Sequence, residues 1–247
     1  MAVQRHLSNA PIIEAIIDFR TKLPAAFEVT RFSSLKEMLG ESYPKMEEQR
    51  AFETGVTFKG KQLQQILEDK GLRGYFFKSH DGKNVVQFRL DGFTFSRLKP
   101  YTNWQDVLAE AKRLWKYYVD AASPDLVTRI AVRCINQLNI PLPVDDFARY
   151  LTAPPNIPRD LPQDISHFLT RVTICDRRLD IMAHIIQALE KSSEPDRVSI
   201  ILDIDVFKHK ESGFEELEVW ENLDKLRGLK NRIFFDSITE ETARLFE

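Results

Sequence analysis

The feature that most constrains this chain is an ordered set of elements that occurs twice. Residues 11 to 119 read strand, helix, three strands, long helix, and residues 126 to 230 read the same way. Self-similarity in a fixed order predicts two copies of one supersecondary unit, which bury their apolar faces against each other. The expected fold is therefore α+β, with two pseudo-symmetric β-α-β-β-β-α halves at 1–122 and 123–247. The second half carries one extra C-terminal helix. The halves share one antiparallel sheet with helices on one face.

The individual elements follow from periodicity. Ile12 to Arg20 alternates, with Ile13, Ala15, Ile17 and Phe19 on one face and Glu14, Asp18 and Arg20 on the other. Phe32, Leu35 and Leu39 recur at helical spacing before Gly40. Residues 51–58 read as a strand and 60–72 as a loop or short helix. Asp81-Gly82 predicts a hairpin turn, and Asp91-Gly92 a bulge or second turn. Asn103 caps a long helix whose stripe is Trp104, Val107, Leu108, Ala111, Leu114, Trp115 and Tyr118. In the second half, 126–140 is a long strand, a short helix is expected over 144–151, and four prolines make 153–162 a stiff loop. Strands follow at 168–175, 179–189 and 198–207. Ser212 with Glu215 reads as a capping box for a helix that Asn231 ends, and Ser237 with Glu240 as the cap of a last short helix.

Composition limits the function classes. Lys and Arg number 35 against 37 Asp and Glu, which argues against a dominant electrostatic footprint for nucleic acid. No apolar run approaches the roughly 20 residues of a membrane span, and Glu14 and Asp18 interrupt the only apolar stretch near the start, so no signal peptide is read. Cys134 and Cys175 both lie in apolar strand-like runs and read as buried, reduced thiols of a cytoplasmic protein.

A search for catalytic patterns finds no nucleophile elbow, phosphate-cradling glycine loop, dinucleotide fingerprint or helical zinc pair. The five histidines are dispersed. Asp203 and Asp205 share one face of a strand and are the weak candidates for a metal, although a solvent-facing strand edge accounts for them more simply. His80-Asp81 is explained by turn chemistry. Cys175 beside Asp176 and Arg177 lacks a nearby base in sequence. No catalytic residue and no cofactor is implied. The set with most potential is Glu14, Asp18, Arg129 and Arg133, two acids and two bases each spaced four apart on equivalent strands. Antiparallel pairing at a pseudo-twofold seam would put Glu14 near Arg133 and Asp18 near Arg129, as register-fixing pairs or as a polar ligand or partner face. Asn136, Arg89 and Arg97 are candidates to join that face.

Several strings carry a resemblance. Leu7-x-x-Ala-Pro-Ile-Ile-Glu-Ala-Ile-Ile-Asp-Phe-Arg20, Phe93-x-Phe-Ser-Arg-Leu-x-Pro-Tyr101 with Trp104 and Trp115, Val127-Thr-Arg-Ile130 with Arg133, Asn136 and Pro141, and the tail Leu226-Arg-x-x-Lys-Asn-x-x-Phe-Phe-x-x-Ile-Thr239 together look like a sporadically distributed prokaryotic family of unknown function. The resemblance implies a prokaryotic intracellular protein and, through scattered occurrence, an accessory of phage-defence or toxin–antitoxin loci. It supplies no activity. The element order also resembles the TATA-binding-protein-like saddle, a likeness of topology only. A DNA-binding saddle needs a basic concave face and wedging aromatic side chains, which the sequence does not show. The expectation is thus a non-catalytic binding or interaction protein for a protein partner or a small polar ligand, with a homodimer compatible. The alternatives are a metal-dependent hydrolase or nuclease on strand carboxylates, and a nucleic-acid saddle.

Overall fold

The computed structural model describes residues 1–59 and 62–247, and the side chains of these except at 54–59 and 62–67. Among the described residues there are nine strands: β1 (Ile12–Lys22), β2 (Lys45–Lys59), β3 (Gln62–Lys78), β4 (Asn84–Arg89), β5 (Gly92–Leu98), β6 (Leu126–Pro141), β7 (Leu169–Asp176), β8 (Ile181–Lys191) and β9 (Arg197–His209). The α-helices are α1 (Leu35–Leu39), α2 (Trp104–Ala122), α3 (Glu216–Ser237) and α4 (Glu240–Arg244). All the strands join one antiparallel sheet in the order β2-β3-β4-β5-β1-β6-β9-β8-β7, so the fold is α+β.

The alternation in β1 decides which face of the sheet is dry. Ala15, Ile17 and Phe19 are buried, and their neighbours Ile16, Asp18 and Arg20 are only partly so. Phe19 receives Trp115 of α2 edge-on at 4.9 Å between ring centroids, and Trp220 of α3 at 5.6 Å. The two long helices therefore lie on the same face, and they touch each other where Trp104 Nε1 donates to Asp224 at 3.3 Å. The α2 stripe is buried at Trp104, Val107, Ala111, Leu114, Trp115 and Tyr118, as its spacing requires. Asn103 accepts from the Asp106 amide at 2.9 Å and starts the helix.

The first turns fall where the glycines are. Asp81 accepts from the Lys83 amide and the Ser79 hydroxyl, and Gly82 takes φ +69° to close the β3–β4 hairpin. Gly92, at φ +152°, lets β5 approach the β1 backbone. A Cβ there would sit 2.0 Å from the Phe19 carbonyl oxygen.

Several expectations are corrected. Four strands, not three, follow α1: the strand expected over 51–58 is present as β2, begins earlier at Lys45, and lies at the sheet edge with no counterpart in the second half among the described residues. Residues 62–72 belong to β3, while 60 and 61 lie outside the described residues. Within β3, β4 pairs with Gly74–Lys78, so from Leu72 backwards β3 has β2 as its one strand neighbour among the described residues. A two-stranded ribbon has no core face to impose alternation, and this explains why the sequence reads there as ambiguous. The helix expected over 144–151 is a single 3₁₀ turn, Phe147–Arg149, capped by Asp146, before Leu151 bridges to Ile238. Ser212 does not cap α3: Gly213 is left-handed and the Phe214 amide bonds the Val127 carbonyl at 2.8 Å, holding that stretch in a turn. Glu215 is the cap, in a box with Glu218. Asn231 does not end α3, because Ile233, Phe234 and Phe235 continue its buried stripe to Ser237. Thr239, not Ser237, caps α4. Cys134 is buried, Cys175 is exposed on the edge strand β7, and both are free thiols.

Candidate functional site

Antiparallel registry fixes the open face of the sheet, the one opposite the long helices. Asp18 lies opposite Thr94 of β5 and Ala131 of β6, while Arg133 lies opposite Ile16 of β1 and Asp205 of β9. The central strands therefore carry Glu14, Asp18, Arg129, Arg133, Asp203 and Asp205 on one surface. Arg129 bridges two of its carboxylates. Its Nη1 donates to Asp18 Oδ1 and its Nη2 to Asp205 Oδ2, each at 2.8 Å, with the guanidinium 4.4 Å from the Phe207 ring centre. The other Asp18 oxygen accepts from Thr94 Oγ1 at 2.7 Å and Arg89 Nη2 at 3.2 Å. Arg89 also holds Asp91, which pairs with Arg20. Arg133 grips Asp203 through two parallel bonds of 2.8 and 2.5 Å.

Of the residues singled out in the sequence, Asp18 and Arg129 meet as expected, and Arg89 joins them. Glu14 and Arg133 do not form a pair. β6 lies between β1 and β9, so its arginines have carboxylates on both sides, and Asp203 takes Arg133 while Glu14 has no hydrogen bond or ion pair among the described residues. Asn136 and Arg97 do not belong to this face at all. Asn136 lies an odd number of residues from Arg133, and the strand period of two sends it to the helix side, where it is buried and donates to the Leu202 carbonyl at 2.9 Å. Arg97 likewise points to the helix side and donates to Asn84 Oδ1.

The seam has little spare bonding capacity. Each of its arginines is engaged by a carboxylate, and both Asp203 and Asp205 are occupied by guanidinium groups. A metal would have to displace Arg133 and Arg129 to use them. Burial holds the Asp205 carboxyl above its ordinary value of 3.8, against the fields of Arg129 and Arg133 and with Asp18 adding to the rise. Because the folded state binds this proton more tightly than the unfolded chain does, Asp205 favours folding increasingly as pH falls from above its raised pKa to 3.8. Asp205→Asn should therefore cost about 1 kcal/mol or less at neutral pH. The wild-type advantage over this variant should grow on acidification, as read by urea melts across the pH range. A wild-type advantage that shrinks with acid would reverse the assignment.

A second feature lies on the opposite side of the sheet. A cleft of about 480 Å³ opens between the N-terminal segment, the start of β1, Tyr101-Thr102 and the C-terminal half of α3. The N-terminal segment is held as its wall by backbone bonds from Ala2 to Phe235 and Ile238 and from Asn9 to Phe246, of 2.9 to 3.1 Å. Asn136 forms part of the floor. From α3 come Arg227, Lys230, Asn231, Phe234 and Phe235, at positions 0, +3, +4, +7 and +8, which is one helical face. No family model matches this chain, and no curated protein matches it either. The sequence reading missed this cleft because it stopped α3 at Asn231. The signal was present as a cation pair, Arg227 and Lys230, set in line with the buried stripe.

Proposed function

We propose that the protein is a non-catalytic binding protein that holds a small polar ligand in the cleft between its N-terminal segment and α3. The observation that carries this reading is the contrast in bonding between the two faces. On the open face the arginines are spent on carboxylates and only Glu14 is left over, whereas the Lys230 side chain, largely covered beside the cleft, has no hydrogen bond or ion pair among the described residues. Pockets that bind small molecules are typically about 300–1,000 Å³, and the cleft is of that size, with a lining more polar than is usual for such pockets, which suits a polar ligand. The strings that resemble the sporadic prokaryotic family also converge here, through Ala10-Pro11, Tyr101, Asn136 and the α3 tail. A role as an accessory of a defence locus extends that resemblance.

We also infer that the two halves are copies of one unit related by a pseudo-twofold axis at the β1–β6 seam. The strand order supports this. β5 and β9, β4 and β8, and β3 and β7 stand at matching distances from the seam, with β2 added at one edge. The hydrolase reading is weakened by the arginines on Asp203 and Asp205. The nucleic-acid saddle is weakened by an open face that sets Glu14, Asp18, Asp91, Asp203 and Asp205 against Arg20, Arg89, Arg129 and Arg133.

A thermal-shift survey of small polar metabolites on the full chain tests the binding reading. At least one compound should raise the melting temperature, and Asn231→Phe, which fills the cleft, should abolish that rise. A survey with no response, or one in which Asn231→Phe responds like the wild type, would count against the cleft.

A further inference from the structure

We infer that the ligand of this cleft carries an oxyanion, a phosphate or carboxylate group, held by Lys230 and Arg227. This rests on the binding reading above and names its ligand class. The first observation is electrostatic. In a chain with 37 acidic and 35 basic side chains, none of the described residues that line the cleft is an aspartate or glutamate. Arg5 is already committed to Glu240 and Glu247. Arg227 has no carboxylate partner among the described residues, and its guanidinium rests over the Trp104 ring at 5.4 Å.

The second observation is Lys230 itself, only 9% exposed and unpartnered among the described residues. Lysine stems ordinarily lie along apolar surface with the head in bulk water. Here the residue lines a concave space instead, beside Arg227 one helical turn away. Two cations on one helical face without a carboxylate partner repel each other, and an oxyanion received between them would relieve that repulsion.

Neutral donors complete the set. Burial takes the Tyr101 hydroxyl up to about 12, with Cys134 and the Asp106 carboxylate adding to the rise and Arg227 opposing it, so it stays protonated and able to donate at neutral pH. The Asn231 amide adds a further donor on the same helical face. Phe234 and Leu7 supply apolar surface for the uncharged part of such a ligand.

The test uses the full chain at constant ionic strength, with calorimetry and thermal melts in inorganic phosphate, in acetate and in a neutral polyol. Lys230→Met keeps the stem and removes the charge, Arg227→Gln removes the second cation, and Lys225→Met is an exposed control on the same helix. Phosphate or acetate should stabilise the wild type and the control. Binding should weaken by about tenfold or more in each cleft variant, the scale of one lost charged hydrogen bond. The better of the two anions identifies the group. Without oxyanion, Lys230→Met should melt no lower than the wild type, whereas a purely structural lysine would lower the melt. An equal anion response in all four proteins overturns the inference, as does no response in the wild type. A polyol that binds in an Asn231→Phe-sensitive way while neither anion does would overturn the oxyanion and leave the binding reading standing. Silence in every arm would overturn both.

Discussion

Trp115→Ala should lower the stability of the fold by about 3–5 kcal/mol, the range for truncating a large aromatic side chain in a core. Trp115 is only 6% exposed. Its ring meets Phe19 at 4.9 Å, Tyr118 at 5.2 Å and Phe93 at 5.5 Å, so one substitution empties the space between α2 and the two central strands β1 and β5. Aromatic pairs in edge-on and stacked geometry each add about 0.5–1.5 kcal/mol beyond the area they bury. Collapse of the cavity is hindered because Phe19 is also held by Trp220 from the other helix. Urea denaturation gives the number, and a loss below about 1 kcal/mol would show that the aromatic stripe does not carry the core.

Asp18→Asn should cost about 3 kcal/mol, the lower end for removing one partner of a buried ion pair. Asp18 is the junction of the seam: Arg129, Arg89 and Thr94 all donate to it, and its side chain is 14% exposed. The lower end applies because Arg129 keeps Asp205 and Arg89 keeps Asp91. At about 2–4 °C per kcal/mol for a chain of this size, the melting temperature should fall by about 6–12 °C. A double-mutant cycle with Arg129→Gln should give a coupling of at least about 1 kcal/mol. Additive single losses would show that the two charges do not act together. The contrast with Asp205→Asn is informative, since that carboxylate bonds a single arginine and its ionised form is disfavoured by burial.

Elements whose faces meet different surroundings were legible in the sequence. β1 separates a dry face from a charged one at every step, and α2 separates a stripe from solvent, so their periods of 2 and 3.6 survive in the residues. The β2–β3 ribbon meets no such contrast, and its extent did not show. The ends of α3 were misread because Ser212 and Asn231 are good local signals overruled by tertiary ones, the bond from Phe214 to Val127 and the buried Phe234-Phe235 pair. At the candidate site, alternation correctly grouped Asp18 with Arg129, and parity alone would have separated Asn136 from Arg133. The Arg133–Asp203 pair was not legible, because it depends on β9 lying beside β6, and strand order is a long-range property.

The seam also has a consequence for what each half would do if the chain were severed between α2 and β6. Each half would gain one new unpaired sheet edge, β1 or β6, beside the outer edge it already has at β2 or β7. The β1 edge presents Glu14, Asp18 and Arg20, and the β6 edge presents Arg129 and Arg133. The cut would break the Asp18–Arg129 pair that crosses from β1 to β6, while Arg129 keeps Asp205 and Arg133 keeps Asp203 within the second half. A split form of this protein would regain the Asp18–Arg129 pair only by rejoining its own two pieces, so that one contact rewards reassembly over homodimers of either fragment.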